Sequence, residues 1–211
     1  EQRGSAGGAV VDGAFYLVGG YGGEPHNYTA EGQSQDIWKL PLAAGARWSS
    51  VGRLPYGLQG LAVVGYRDEV CRFGGNRVQS ARGEKASMLS VTDAACWNTK
   101  TGVWRTLPNL PTGRSSLDAV MMGSTVYLAG GWQRGDGQKG GNEESGVWRG
   151  DILRMDLGAA APRWNSIKAP VETRAASAVA VRGKLYLMGG IASDRKPSRA
   201  ELAWVPVHQA N

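Results

Sequence analysis

The 211-residue sequence predicts an all-β protein in which one unit of short strands is used four times, and three observations carry that reading. Four strand-like runs end on paired glycines: FYLVGGY (15–21), VCRFGGN (70–76), VYLAGGW (126–132) and LYLMGGI (185–191). The second glycines of these pairs, Gly20, Gly75, Gly131 and Gly190, stand 55, 56 and 59 residues apart. The chain also holds 32 glycines, about twice the ordinary share, with no collagen triplet, so it makes many tight turns.

Each unit opens with two apolar runs split by a turn, seen in GGAVVDGAFYLV, GLAVVGYRDEVCRF, LDAVMMGSTVYLA and ASAVAVRGKLYLM. These read as β-hairpins, strands A and B, with Asp12-Gly13 and Arg182-Gly183 supplying tight turns. The glycine pair closes strand B where the backbone needs positive φ or a close approach that a Cβ would block. A third strand, C, begins on an acid in DIWKLPL (Asp36), DAACWN (Asp93), DILRMDL (Asp151) and ELAWVPV (Glu201). These acids are expected to cap turns or to pair with a neighbouring arginine. Strand D follows in RWSSVGRLP, VWRTLPNLP and RWNSIKAP, and its tryptophans, Trp48, Trp104 and Trp164, are expected to pack between neighbouring units.

Four strands at this period fit the blade of a β-propeller. The blade units run about 1–56, 57–112, 113–172 and 173–211. Three are complete, and the fourth lacks its outermost strand. A blade buries both faces, so a row of blades must close into a ring or leave apolar faces wet. The chain is then a piece of a larger ring, a four-bladed ring, or one of several copies that complete each other through open blade edges.

Composition narrows the function classes. The net charge of +6 is spread along the chain; it suits an anionic ligand better than nucleic acid. No apolar run approaches the ~18 residues of a membrane span. The two cysteines, Cys71 and Cys96, read as two small buried side chains or as one disulfide, and the first is the expectation.

The glycine pair, the aromatic of strand C and the tryptophan of strand D together resemble the kelch repeat. DAACWNTKTGVWRTLPNLPTGRSS is the most similar stretch, with Trp97 where the family usually has tyrosine. The resemblance covers essentially the whole chain and implies a kelch β-propeller, with a six-bladed ring as the expected closed form. It also implies a bacterial protein of a kind commonly exported, hence a periplasmic or secreted location.

Blade connectivity puts the D–A and B–C loops at one end of the ring. Every long, variable loop here is a B–C loop, and loops on a rigid scaffold are where binding resides. The D–A loops carry Arg3, Arg114 and Arg174, with Leu58 in the second unit. In peptide-binding kelch adaptors, such arginines and the residues after the glycine pair line the central pocket. Carried over by position, the resemblance implies a ligand site of Arg3, Arg114, Arg174, Tyr21, Asn76 and Trp132. Guanidiniums favour a carboxylate or other anion, and Tyr21 or Trp132 would stack on a sugar or peptide side chain.

This points to a binding module for a protein segment or an anionic carbohydrate, with no cofactor. No nucleophile elbow, phosphate loop or Cys-His pair appears. With only His26 and His208 in the chain, a histidine-rich metal site is not expected. Galactose oxidase shares the kelch fold, but no copper-ligand set like its own can be assigned here. One enzymatic alternative rests on the loop HNYTAEGQSQDIW (26–38), which resembles one in the bacterial sialic acid mutarotases. On that resemblance His26, Tyr28 and Glu31 join the site, with Glu31, His26 or an arginine-held water moving the protons of mutarotation.

Overall fold

The computed structural model describes residues 3–23, 28–84, 87–134 and 146–193, together with the strand at 203–206. Among the described residues it is all-β, with one 3-10 turn (Ala30–Gly32). Blade 1 is the antiparallel sheet β1 (Gly7–Val11), β2 (Ala14–Val18), β3 (Asp36–Pro41) and β4 (Ser49–Arg53), in that spatial order. Blade 2 repeats it with β5 (Ala62–Tyr66), β6 (Glu69–Phe73), β9 (Ala94–Asn98) and β10 (Trp104–Thr106). Its B–C loop folds into the hairpin β7 (Asn76–Val78) and β8 (Met88–Ser90).

Blade 3 is β11 (Ser115–Met122), β12 (Thr125–Gln133), β14 (Asp151–Asp156) and β15 (Asn165–Lys168), with the short β13 (Val147–Trp148) on the far end of β12. In blade 4, β17 (Ser177–Val181), β18 (Lys184–Met188) and β20 (Ala203–Pro206) form the sheet, and β16 (Thr173–Arg174) pairs with β19 (Ile191–Ala192) above it. The expected hairpin turns are present. Asp12 and Gly13 have φ of 46° and 70°, and Arg182 and Gly183 have 49° and 72°, the twist that a two-residue connection requires.

Alternate residues of blades 2 and 3 face opposite neighbours, so the sheets stand face to face around an axis. On blade 2, Val63, Val70 and Trp97 pack on Val11, Tyr16 and Ile37 of blade 1. The other face, with Ala62, Val64, Tyr66 and Phe73, packs on Leu117, Val126, Leu128 and Met155 of blade 3. Tyr127 and Ile152 then meet Leu185 and Leu187 of blade 4. Burial on both faces explains why these strands are rich in apolar residues at consecutive positions. The strand D tryptophans close the seams toward the preceding blade. Trp164 meets Phe73 edge-on at 5.8 Å and donates to the Pro108 carbonyl. Trp48, on the first blade, packs edge-on against Phe15 of its own blade and is 44% exposed.

Two backbone devices join the blades. Ser5, Gly60, Ser116 and Ala175 all adopt positive φ between 51° and 61°. The Gly60, Ser116 and Ala175 amides each donate to the carbonyl of the preceding one, at 2.7–2.8 Å. This belt runs around the axis with the 55-, 56- and 59-residue steps of the repeat. The second device is the glycine pair. The Gly20 amide donates to Leu58 O and the Gly75 amide to Arg114 O, in each case the D–A segment of the next blade. The same carbonyl occupies the space of a side chain on the first glycine: a Cβ on Gly19 would lie 2.5 Å from Leu58 O.

The cysteines correct one expectation: Cys71 and Cys96 are disulfide-bonded. They are direct partners across β6 and β9, both with fully buried side chains facing blade 3, so strand pairing itself brings the sulfurs together. Closing a loop of sequence separation 25 should contribute about 3 kcal/mol by restricting the unfolded chain. Urea unfolding with and without a reductant should show that difference; an unchanged midpoint would mean the bond does not constrain the unfolded chain.

Candidate functional site

The loop-rich end is built by a recurring fold-back. The residue after each glycine pair turns onto the D–A segment of its own blade, pairing Gly4 with Tyr21, Gln59 with Asn76, Ser115 with Trp132 and Arg174 with Ile191. Tyr21, Asn76 and Trp132 are consequently 9, 6 and 4% exposed. Glycines of the B–C loops lie directly on the aromatic rings: a Cβ on Gly32 would overlap Tyr21, and one on Gly146 would overlap Trp132. Tyr28 meets Tyr21 edge-on at 5.1 Å, and Asn76 Oδ1 accepts from Ser90 Oγ at 3.0 Å. These side chains anchor the loops.

The pairing also shifts one residue by a place. Arg3, Leu58, Arg114 and Thr173 occupy one structural position, and Arg174 occupies the next, beside Gly4, Gln59 and Ser115. Arg3 donates to Ser34 Oγ at 2.5 Å and to Asp36 at 3.3 Å. Arg114 is fully buried, with Nη2 2.8 Å from both oxygens of Asp151. It lies buried inside blade 3, paired with Asp151. Arg174 is half-buried, its guanidinium 4.5 Å from the Trp132 ring and 5.3 Å from that of Trp148, while Arg134 lies 5.2 Å from Trp132.

The described strand C acids, Asp36, Asp93 and Asp151, therefore each face a guanidinium, and blade 2 shows how the pairing is kept. Leu58 stands there at the arginine position, and Arg72 supplies the cation from strand B, with Nη2 4.0 Å from Asp93. The residues two before the glycine pair in blades 1 and 3 are Leu17 and Leu128, so leucine and arginine have exchanged places. Arg72 is 4% exposed, and burial lowers its pKa to about 10. Because the folded pKa lies below the unfolded one, this burial opposes folding at every pH below about 10 and is relieved only above it. Tyr56 adds a hydroxyl donor to Asp93.

A cleft of about 920 Å³ opens beside blade 1. Arg3, Tyr21 and Glu31 of the sequence-derived set line it, with Thr29, Ala30, Ser34, Asp36, Arg53 and Arg82. Its floor is stitched across two blades. Gln33 donates from Nε2 to Asn76 O at 2.8 Å and accepts from the Val78 amide at 2.7 Å. The Ala30 amide donates to Ser80 O at 2.9 Å, which brings Arg82 of the second blade to the cleft. Glu31 rides on the 3-10 turn, whose first residue follows Thr29; Thr29 Oγ1 accepts from the Gly32 amide at 3.3 Å. Asp36 is shared by Arg3 at 3.3 Å and Arg53 at 3.6 Å.

The structure thus divides the sequence-derived residues. Arg3, Tyr21, Tyr28 and Glu31 gather at the first blade, Trp132 and Arg174 meet at the third and fourth, and Asn76 braces the loops of the second. His26 lies outside the described residues. Arg53, Arg82, Gln33, Arg134 and Trp148 were not found from the sequence. Arg82 is contributed by a neighbouring unit, so no local pattern marks it. Among the described residues the one candidate ligand cluster is Glu69, Cys71 and Cys96, whose sulfurs are bonded to each other.

No protein-family model and no curated protein matches the sequence. Among solved structures, one described as "Structure of YjhT" is similar at a TM-score of 0.70 and 16% identity, covering 100% of this chain and 68% of that one. At this identity the likeness speaks for the fold alone. The chain has a kelch-like β-propeller fold.

Proposed function

We propose that the protein is a kelch-type binding module whose cleft beside blade 1 takes a charged group of a protein segment or an anionic carbohydrate. The observation that carries this is the cleft's make-up. Its 920 Å³ suits a small ligand or a chain end, and three arginines stand on its walls against two acids. Cross-blade stitching by Gln33 and Ala30 holds those walls in place, which limits the ordering cost of binding.

Ala30 lies exposed on the cleft wall, so Ala30→Trp should fill the cleft without disturbing the core. Glycan and acidic-peptide arrays probed with both proteins should lose their signals with the variant, while the melting temperature stays within about 2 °C. Signals that survive the substitution would place binding elsewhere.

A second reading, a sialic-acid-type mutarotase, is favoured by one observation: Glu31 lies exposed in the same cleft as three guanidiniums. Glu31 would take the proton of the anomeric hydroxyl as the ring C–O bond opens and water protonates the ring oxygen. The reverse steps on the other carbonyl face would close the second anomer, and the arginines would hold the sugar's carboxylate. Anomer interconversion of N-acetylneuraminate, followed by NMR, would then accelerate with the wild type and not with Glu31→Gln. No acceleration by the wild type would eliminate this reading.

A further inference from the structure

We infer that the ligand of this cleft is a zwitterion of the amino-acid or short-peptide type, its carboxylate on Arg82 and its ammonium on Glu31; this rests on the reading that the cleft is the binding site. The other cleft charges satisfy one another, since Asp36 pairs with both Arg3 and Arg53. Glu31 and Arg82 differ. Each is exposed, and neither forms an ion pair with any described residue, the other included.

They come from different blades, yet the hydrogen bond from the Ala30 amide to Ser80 O fixes the two backbones side by side. A carboxylate and a guanidinium held in one cleft without meeting leave a gap for a ligand with the complementary pair of charges. A simple anion satisfies Arg82 and is repelled by Glu31, whereas a zwitterion satisfies both. The planar guanidinium suits a carboxylate through two parallel hydrogen bonds, and the Glu31 carboxylate accepts from an ammonium.

Calorimetric titration of the full chain with alanyl-alanine, its N-acetyl form, its C-terminal amide and N-acetylneuraminate tests this. The free dipeptide should bind at least about tenfold more tightly than either blocked form. Arg82→Ala should erase the penalty for the amide, and Glu31→Gln the penalty for the acetyl group. Equal binding of blocked and free forms, no binding of the dipeptide, or indifference to both substitutions overturns the inference. The two readings fail separately. N-acetylneuraminate binding that Ala30→Trp abolishes, without dipeptide binding, keeps the cleft and removes the zwitterion. Dipeptide binding that Ala30→Trp leaves intact removes the cleft itself.

Discussion

Replacing Asp151 by alanine should cost about 3–5 kcal/mol of stability, because it strands a cation where water cannot reach it. Arg114 is fully buried, and burial lowers its pKa while Asp151 works to raise it. Both carboxylate oxygens sit 2.8 Å from Nη2, and Nη1 donates to the Asp151 carbonyl at 3.0 Å. Alanine keeps that carbonyl and removes the countercharge. Asp151→Asn should retain part of the loss by keeping one acceptor. The contrasting site is Arg72, whose Nε and Nη1 have no hydrogen-bond partner and whose acid, Asp93, is partly solvated. Arg72→Leu removes an incompletely satisfied buried charge and should change stability by less than about 1 kcal/mol, or raise it. Urea unfolding at pH 7 checks both, and a loss below about 1 kcal/mol for Asp151→Ala would show that Arg114 is hydrated or repartnered.

The same pair shows what could be read from residues alone. A period is legible when one residue type meets the same constraint in successive units, as the glycine pairs do with positive φ at both glycines in all four. Pairing of the strand C acids with arginine was also legible, as one of two options. Its exchange of donors was not, because Leu58 and Arg72 are 14 positions apart and become equivalent only through the blade's interior. The axial belt left little trace for a related reason: Ser5, Gly60, Ser116 and Ala175 share a backbone conformation and small size but no single residue type. At the site, counting from the arginine put Arg174 one place out, since register there is set by hydrogen bonds to Ile191 across the loop. Residues placed at a mouth by analogy, Tyr21, Asn76 and Trp132, are buried because the loops return over them. Arg82 reaches the cleft from another unit, which a reading along the chain does not reveal.

Gly74→Ala should be about as costly as the loss of Asp151, roughly 3–5 kcal/mol, and a matched glycine shows where that cost arises. Gly74 has φ +58°, and alanine there pays about 1–2 kcal/mol of backbone strain. The larger part is steric. A Cβ on Gly74 would overlap the Arg114 carbonyl of the next blade, the acceptor for the Gly75 amide. Blades 2 and 3 would have to separate there, leaving a buried donor and acceptor short of a partner at about 1–3 kcal/mol and loosening the apolar seam beside them. Gly189 holds the same place in blade 4 at φ +66°, and no described residue lies within 4 Å of where its Cβ would be. Gly189→Ala should therefore clash with no described residue and cost less than Gly74→Ala. Denaturant unfolding of the two variants separates the terms: the difference between them measures the inter-blade clamp. Equal losses at the two glycines would mean that the pair acts only as a turn and that the blades are held together by their apolar faces.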